Sequence, residues 1–434
     1  MHPMTPLPID RIRLSLLVAL AATPLAGCDT RDAPDPAFGA GTVVYEGARL
    51  IVGDGSAPID GATLVVRDGR IVQVGQLSEV QFPDGVVRVD LTGRTVMPAI
   101  VDTHKHFAEF IHDRAALVDQ LEHLAYYGVA AVLSMGTDEG EVPFRVRDEV
   151  IPGAARYLTA GRGITTPEPG RSEAPYWITT EEEARAAVRE LAQQRVDIVK
   201  IWVDDRGGTY ERLGPELYTP VIEEAHRHGL RVTAHIFSLE DAKGLLRTGV
   251  DKFAHGIRDR DIDDELIALW RERPHVVLVP NLPDRGVAAD LSWLAGTVPA
   301  ARLRVLQEES VDRPAAQRTF DIQARNLARL HREGFPIAFG TDGNVPWAAH
   351  LEMEDMVAAG MSPMDVIVAA TRNSADLLRL HDVGTLEAGM SADFIVLAAD
   401  PLQDIRNTRR IEAVYLRGTP IDRESLGTRW RGGQ

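Results

Sequence analysis

Two histidines one residue apart, His104 and His106, stand at the end of an apolar run, TVMPAIVDTH over 95–104. In an extended strand a separation of two places both imidazoles on the same face. His235 closes another such run (RVTAHIF), His255 a third (VDKFAHGI), and Asp342 follows a fourth (FPIAFGTD). Neutral imidazole and carboxylate are ligands for divalent metals. Taken singly, a strand histidine is more often a hydrogen-bonded structural residue, and Asp342 in GTDG could equally shape a turn. Taken together, four histidines and an aspartate at the same end of successive strands favour a metal centre.

Lys200 adds to this reading. It lies inside VDIVKIWV (196–203), on the same face as Ile198 and Trp202 by parity. An ion pair with a neighbouring carboxylate is the plain explanation for such a lysine. Burying its ammonium is costly, however, so a lysine there tends to lose its proton. A neutral amine reacts with carbon dioxide to give a carbamate, an anion whose two oxygens can bridge two cations. The spacing therefore predicts two divalent ions, zinc by default with manganese or cobalt as alternatives. Such a pair makes a metal-bridging hydroxide available near neutral pH and polarises a carbonyl. Asp342 would accept the proton of that water and deliver it to a leaving amine.

These residues need a scaffold that brings strand ends together. Eight strand-like runs alternate with helical periods: 95–104, 129–136, 155–161, 196–203, 231–237, 250–257, 275–282 and 335–342. Thr180 and Glu183 form a capping-box pattern ahead of one helix, and Gly229 and Gly334 are helix stops for two others. The alternation predicts an α/β chain with a (β/α)₈ barrel and its chemistry at the C-terminal strand ends. The connection 283–315 is long enough for a lid or an extra helix. Val/Ile-rich runs before residue 90 recur in ADFIVLAAD (392–400) and IEAVYLRGTP (411–420), and Asp68-Gly69 reads as a hairpin turn. The two β-rich ends could thus form one small sheet domain, with everything between inserted into it.

The chain has 434 residues, 47 Lys+Arg against 64 Asp+Glu and a formal charge of −17, which disfavours nucleic acid as a partner. Its single cysteine, Cys28, excludes internal disulfides and Cys-based zinc sites. Arg11 and Arg13 precede an apolar stretch, LSLLVALAA, suited to a signal peptide. The following Leu25-Ala26-Gly27-Cys28 resembles a bacterial lipobox, which implies lipidation of Cys28 and anchoring in the cell envelope, on the periplasmic side. The expected organisation is a signal peptide (1–27), a tether (28–41), a β domain from both ends (42–95 and 385–425) and the barrel (96–384).

The combination of GRTVMPAIVDTHKH, DIVKIW, RVTAH, FAHG, FGTDG and VGTLEAGMSADFIVL resembles the amidohydrolase superfamily. The nearest branch is the one related to imidazolonepropionase, which includes metal-dependent Xaa-Pro dipeptidases. The resemblance spans about residues 42–425 and implies a (β/α)₈ barrel with a flanking β-sandwich built from both termini, with His104, His106 and Asp342 on one metal, His235 and His255 on the other, and carboxylated Lys200 between them. It implies hydrolysis of an amide or peptide bond, in a dipeptide or N-acylamino acid. A cyclic-amide hydrolase, a heterocycle deaminase and a non-catalytic envelope binding protein are the alternatives. Lys105 stands where a small apolar residue is usual, and parity points it away from the mouth toward the helix layer. Ala99 replaces a common Gly, IFS follows His235 where many relatives have a second histidine, and RGITTPEPGRSE replaces a Gly- and His-rich loop. Arg162, Arg206, Tyr210, Arg285, Trp347 and His350 lie just past strand ends and are candidate substrate contacts. Their arginines favour a substrate with a free carboxylate.

Overall fold

In the computed structural model, which describes residues 41–432, the two β-rich ends of the chain meet in one hydrogen-bonded sheet. Its eight strands run in the order Thr419–Pro420, Ile411–Leu416, Phe394–Leu397, Thr95–Pro98, Val43–Leu50, Ile59–Arg67 and Arg70–Gln76, with Val87–Asp90 also paired to Val43–Leu50. The Asp68-Gly69 turn has φ of 50° and 77°, the left-handed pair that a two-residue hairpin requires. Inside this sheet the rings of Tyr45, Phe394 and Tyr415 pack with centroids 4.5–5.1 Å apart. Strands from both ends therefore do pair, but they pair within a single sheet where a sandwich of two was expected.

The parallel strands between them fall into two sheets. One joins Ile100–Lys105, Val129–Ser134 and Arg156–Thr159. The other has six strands, including Val199–Val203, Val232–Ile236, Lys252–Ala254 and Val277–Val279. The expected eighth barrel strand, 335–342, makes a single parallel bridge, Leu278 to Ile337, so the ladder is not continuous. The cause is local. Phe339 N–H donates to Ser374 Oγ (2.9 Å), and Thr341 N–H is shared between Asp102 Oδ1 (3.1 Å) and the His104 carbonyl (3.2 Å), so side chains compete for donors that a ladder would use. Thr103 N–H still donates to the Phe339 carbonyl at 3.0 Å, which seats this run beside the first parallel strand.

Helices cover the parallel strands as the sequence predicts. Glu181–Gln193 starts on a reciprocal capping box, with Glu183 N–H on Thr180 Oγ1 (3.2 Å) and Thr180 N–H on Glu183 Oε2 (3.1 Å). Its Ala184, Ala187, Val188 and Leu191 are buried. The 283–315 connection contains a short 3₁₀ turn and the helix Ala300–Glu309, none of whose residues is buried. Among the described residues no helix is long and apolar enough to cross a membrane. The apolar stretch and the Leu25–Cys28 motif lie outside the described residues.

Candidate metal centre

Backbone register brings the predicted residues to one place. His104 sits in Ile100–Lys105 and is completely buried. Asp102, two residues earlier, accepts from His104 N–H (3.0 Å) and from the Thr341 hydroxyl (2.8 Å). Asp342 N–H donates to the His104 carbonyl at 2.8 Å. These bonds lock the loop carrying Asp342 against the strand carrying the two histidines. Lys105, on the other face, does not go to the helix layer. Its Nζ donates to the carbonyls of Gly343 (2.6 Å) and Val345 (3.1 Å), because those carbonyls leave the same loop. Burial lowers its pKa to about 8.

Around Asp342, His106 Nε2 lies 3.0 Å and His104 Nε2 3.2 Å from Oδ1, and His255 Nε2 lies 3.8 Å from Oδ2. Ligand atoms of His104, His255 and Asp342 all fall within 4.8 Å of one another. His235 stacks edge-on to His255 with centroids 4.5 Å apart, yet its Nε2 is engaged elsewhere, 3.0 Å from Asp204 Oδ2 and 3.2 Å from Arg206 Nη1. Lys200 is fully buried, and its Nζ lies 5.1 Å from the Trp202 ring centre with no hydrogen-bond partner.

Burial sets the protonation states. It drives the pKa of His104 and His235 well below the ordinary value, reinforced by the Lys200 charge, and that of His255 as well, reinforced by Arg258. Burial would raise Asp342, but the surrounding imidazoles of His255, His104 and His106 override it and hold the carboxylate well below the usual range. Lys200 falls to about 7, mainly through burial. The donor set is thus neutral imidazole, carboxylate and a lysine that sheds its proton easily.

The buried Nδ1 atoms of His104 and His106 and the Lys200 Nζ lack hydrogen-bond partners. Orphaned nitrogens beside an ionised carboxylate fit a divalent cation better than they fit a self-contained polar core. The backbone is also special here. Among the described residues, four of the eight non-glycine residues with positive φ, namely Arg206, His255, Asn281 and Asp342, belong to this neighbourhood. Such conformations cost about 1–3 kcal/mol each and gather at functional sites.

His106, Lys200, His235, His255 and Asp342 line one cavity of about 460 Å³, which also carries Phe107, Phe110 and Trp202. A larger cavity of about 640 Å³ lies against Arg70, Arg156 and Arg417. Its charges are already used: Arg156 pairs with Asp382 at 2.8 Å and Arg417 donates to the Ile151 carbonyl at 2.8 Å.

None of the six predicted substrate contacts lines the cavity of the histidines. His350 is buried against Thr408 Oγ1 (3.1 Å), and Trp347 packs on Tyr127. Arg285 pairs with Glu354 at 2.7 Å, and Tyr210 donates to the Pro169 carbonyl at 3.1 Å. Arg162 is held by the Ala174 carbonyl and the Tyr176 ring. Arg206 touches the site from behind, through Asp204 (2.8 Å) and His235. Sequence reasoning passed over Asp204, although its parity with Lys200 and Trp202 places it on their face. It also passed over Arg171, which stands in a loop with no period to read, and Arg258, whose Nε and Nη2 are buried without partners.

The Amidohydrolase family pattern matches residues 95–421, and the chain belongs to that family. It is a hydrolase acting on carbon–nitrogen bonds. Among its relatives, an imidazolonepropionase of Streptomyces griseus is 25% identical over 442 residues, covering 96% of this chain and 99% of its own length. An uncharacterized protein of Mycobacterium tuberculosis is 29% identical over 340 residues, covering 75% and 85%. A solved structure of a candidate prolidase from Bifidobacterium longum is 28% identical, with TM-score 0.72 over 90% of this chain and 99% of that one. Phenylurea hydrolase B, at 22% identity and TM-score 0.73 over 89% and 98%, shares the fold.

Proposed function

We propose that the protein is a metal-dependent hydrolase that cleaves the amide bond of a dipeptide or an N-acylamino acid. The observation that carries this reading is the convergence of His104, His106, His255 and Asp342 on one point, beside His235 and a buried, unpartnered Lys200, in a single cavity. His104, His106 and Asp342 would hold one divalent ion and His235 and His255 a second, with Lys200 as a carbamate between them. Bound ions of this kind acidify water and polarise a carbonyl.

The chain's own groups do the rest. Asp342, ionised and anchored through its backbone N–H, takes the proton of the attacking water and passes it to the leaving nitrogen. Burial keeps the imidazoles unprotonated and available as donors. His235 must exchange its contact with Asp204 for a ligand role, and Arg206 remains to satisfy Asp204 when it does. Phe107 and Trp202 limit water at the reacting bond. The parallel strands are read as the wall of one barrel, with residues 96–384 as its catalytic portion. Lipidation of Cys28 would tether it in the cell envelope.

The S. griseus relative, which matches nearly end to end, favours a second reading: opening of a ring amide. Zinc-loaded protein incubated with dipeptide, N-acylamino-acid and cyclic-amide panels, with the carboxylic acid product followed by chromatography, separates the two. Turnover in the first two panels supports the proposal. Turnover confined to cyclic amides moves the assignment to the second reading, and none in any panel overturns both.

A further inference from the structure

The cavity of the histidines carries one guanidinium on its wall, that of Arg171. Its side chain is 45% exposed, and its Nη1 donates to Glu168 Oε2 at 2.7 Å. Glu168 is itself 1% exposed and accepts from Arg206 Nε at 3.0 Å on its other oxygen. A buried carboxylate shared by two guanidiniums is well compensated, so Glu168 is a fixed post that holds Arg171 at the rim. One nitrogen of Arg171 is used in this way, and the guanidinium has further donors to offer an anion in the cavity.

The other arginines nearby are spent or closed off. Arg162 donates to the carbonyls of Ala174 and Pro175, and Arg206 pairs with Glu168 and Asp204. Arg258 does not line the cavity, and its Nε and Nη2 are closed to solvent. Glu109 is the one acidic wall residue besides Asp342, so an anion is accommodated on the Arg171 side and repelled near Glu109. Phe107, Phe110 and Pro175 supply apolar surface.

Resting on the proposed hydrolysis, we infer that Arg171 is the specificity-determining residue, binding the free carboxylate of a substrate whose side chain is apolar. The fork of a guanidinium matches a carboxylate in plane, and a charge-assisted pair of this kind is worth about 10- to 100-fold in binding.

The test uses zinc-loaded full-length protein with N-acetyl-phenylalanine and its C-terminal carboxamide, followed by calorimetric binding and by turnover. Wild type should bind the acid about 10- to 100-fold more tightly than the carboxamide. Arg171→Ala should erase that difference by weakening the acid alone, through KM with kcat little changed, and Arg171→Lys should restore part of it. Equal binding of acid and carboxamide by wild type, or equal losses for both in Arg171→Ala, overturns the inference. Carboxylate-dependent binding lost in Arg171→Ala, with no turnover of either compound, supports the anchor and shows only that the acetyl group is not cleaved, the hydrolysis reading being decided by the substrate panels.

Discussion

Replacing Lys200 by Met removes a charge that the fold buries without a partner, and the structure allows the effect to be sized. The Lys200 pKa falls from 10.5 to about 7, chiefly through burial. At about 1.4 kcal/mol per unit, this shift corresponds to about 5 kcal/mol held against the ammonium form. The Trp202 ring 5.1 Å away is lost as a cation partner, and Met repacks imperfectly, which together offset about 2 kcal/mol. Metal-stripped Lys200→Met should therefore be more stable than stripped wild type by about 3 kcal/mol at pH 6.5. The sign follows from proton counts. Between pH 7 and 10.5 the unfolded chain holds more protons at Lys200 than the folded one, so wild-type stability rises with pH across that window. The advantage of the variant should shrink as pH approaches 10. Urea unfolding of both chelator-treated proteins at pH 6.5 and 10 measures this. The same variant should lose metal and activity, since a thioether cannot form a carbamate. A variant less stable than wild type at both pH values would refute the reasoning.

Three further outcomes are expected. Gly163→Ala would drive a methyl into the Trp202 ring and to 3.1 Å from Lys200 Cγ, costing about 1–3 kcal/mol and lowering bound metal, by thermal unfolding and metal analysis. Burial holds His350 at a pKa of about 3, so between pH 6.5 and 3 the unfolded chain binds the extra proton and stability is lost as pH falls, by about 1.4 kcal/mol per unit. His350→Gln should flatten that slope in urea unfolding at pH 7 and 5, and an unchanged slope would clear His350 of the role. Cys28→Ser should release the protein from membranes and abolish acyl-chain labelling; a variant that still pellets with membranes contradicts the lipobox reading.

The candidate ligands were legible because strand parity is a short-range rule. His104 and His106 had to share a face, and the ends of parallel strands had to share a side. Lys200 was legible for the same reason, since an ammonium in VDIVKIWV has no local partner. What parity could not show was the state of each donor atom. His235 turns to Asp204 because the chain after Val203 folds back with Arg206 in a left-handed conformation, which no period encodes. The substrate contacts failed for a related reason. Trp347 and His350 follow Asp342 closely in sequence, but a helix begins at Ala348 and carries them into packing with Tyr127. Arg171 comes from an irregular loop, and only the assembled cavity shows that it lines the same wall as the histidines. The eighth barrel strand was over-read because its apolar pattern is strand-like while its N–H groups bond to Ser374 and Asp102.

The central claim is that these residues hold two divalent ions bridged by a carboxylated lysine. The most direct measurement titrates zinc into chelator-stripped protein in ¹³C-bicarbonate, counting bound metal while recording the carbamate signal by ¹³C NMR, with Lys200→Ala as control. The account predicts two ions per chain and a carbamate signal that grows with them and is missing from the control. Active protein that holds two ions with no carbamate, or that hydrolyses substrate at full rate with no ion bound, would contradict it.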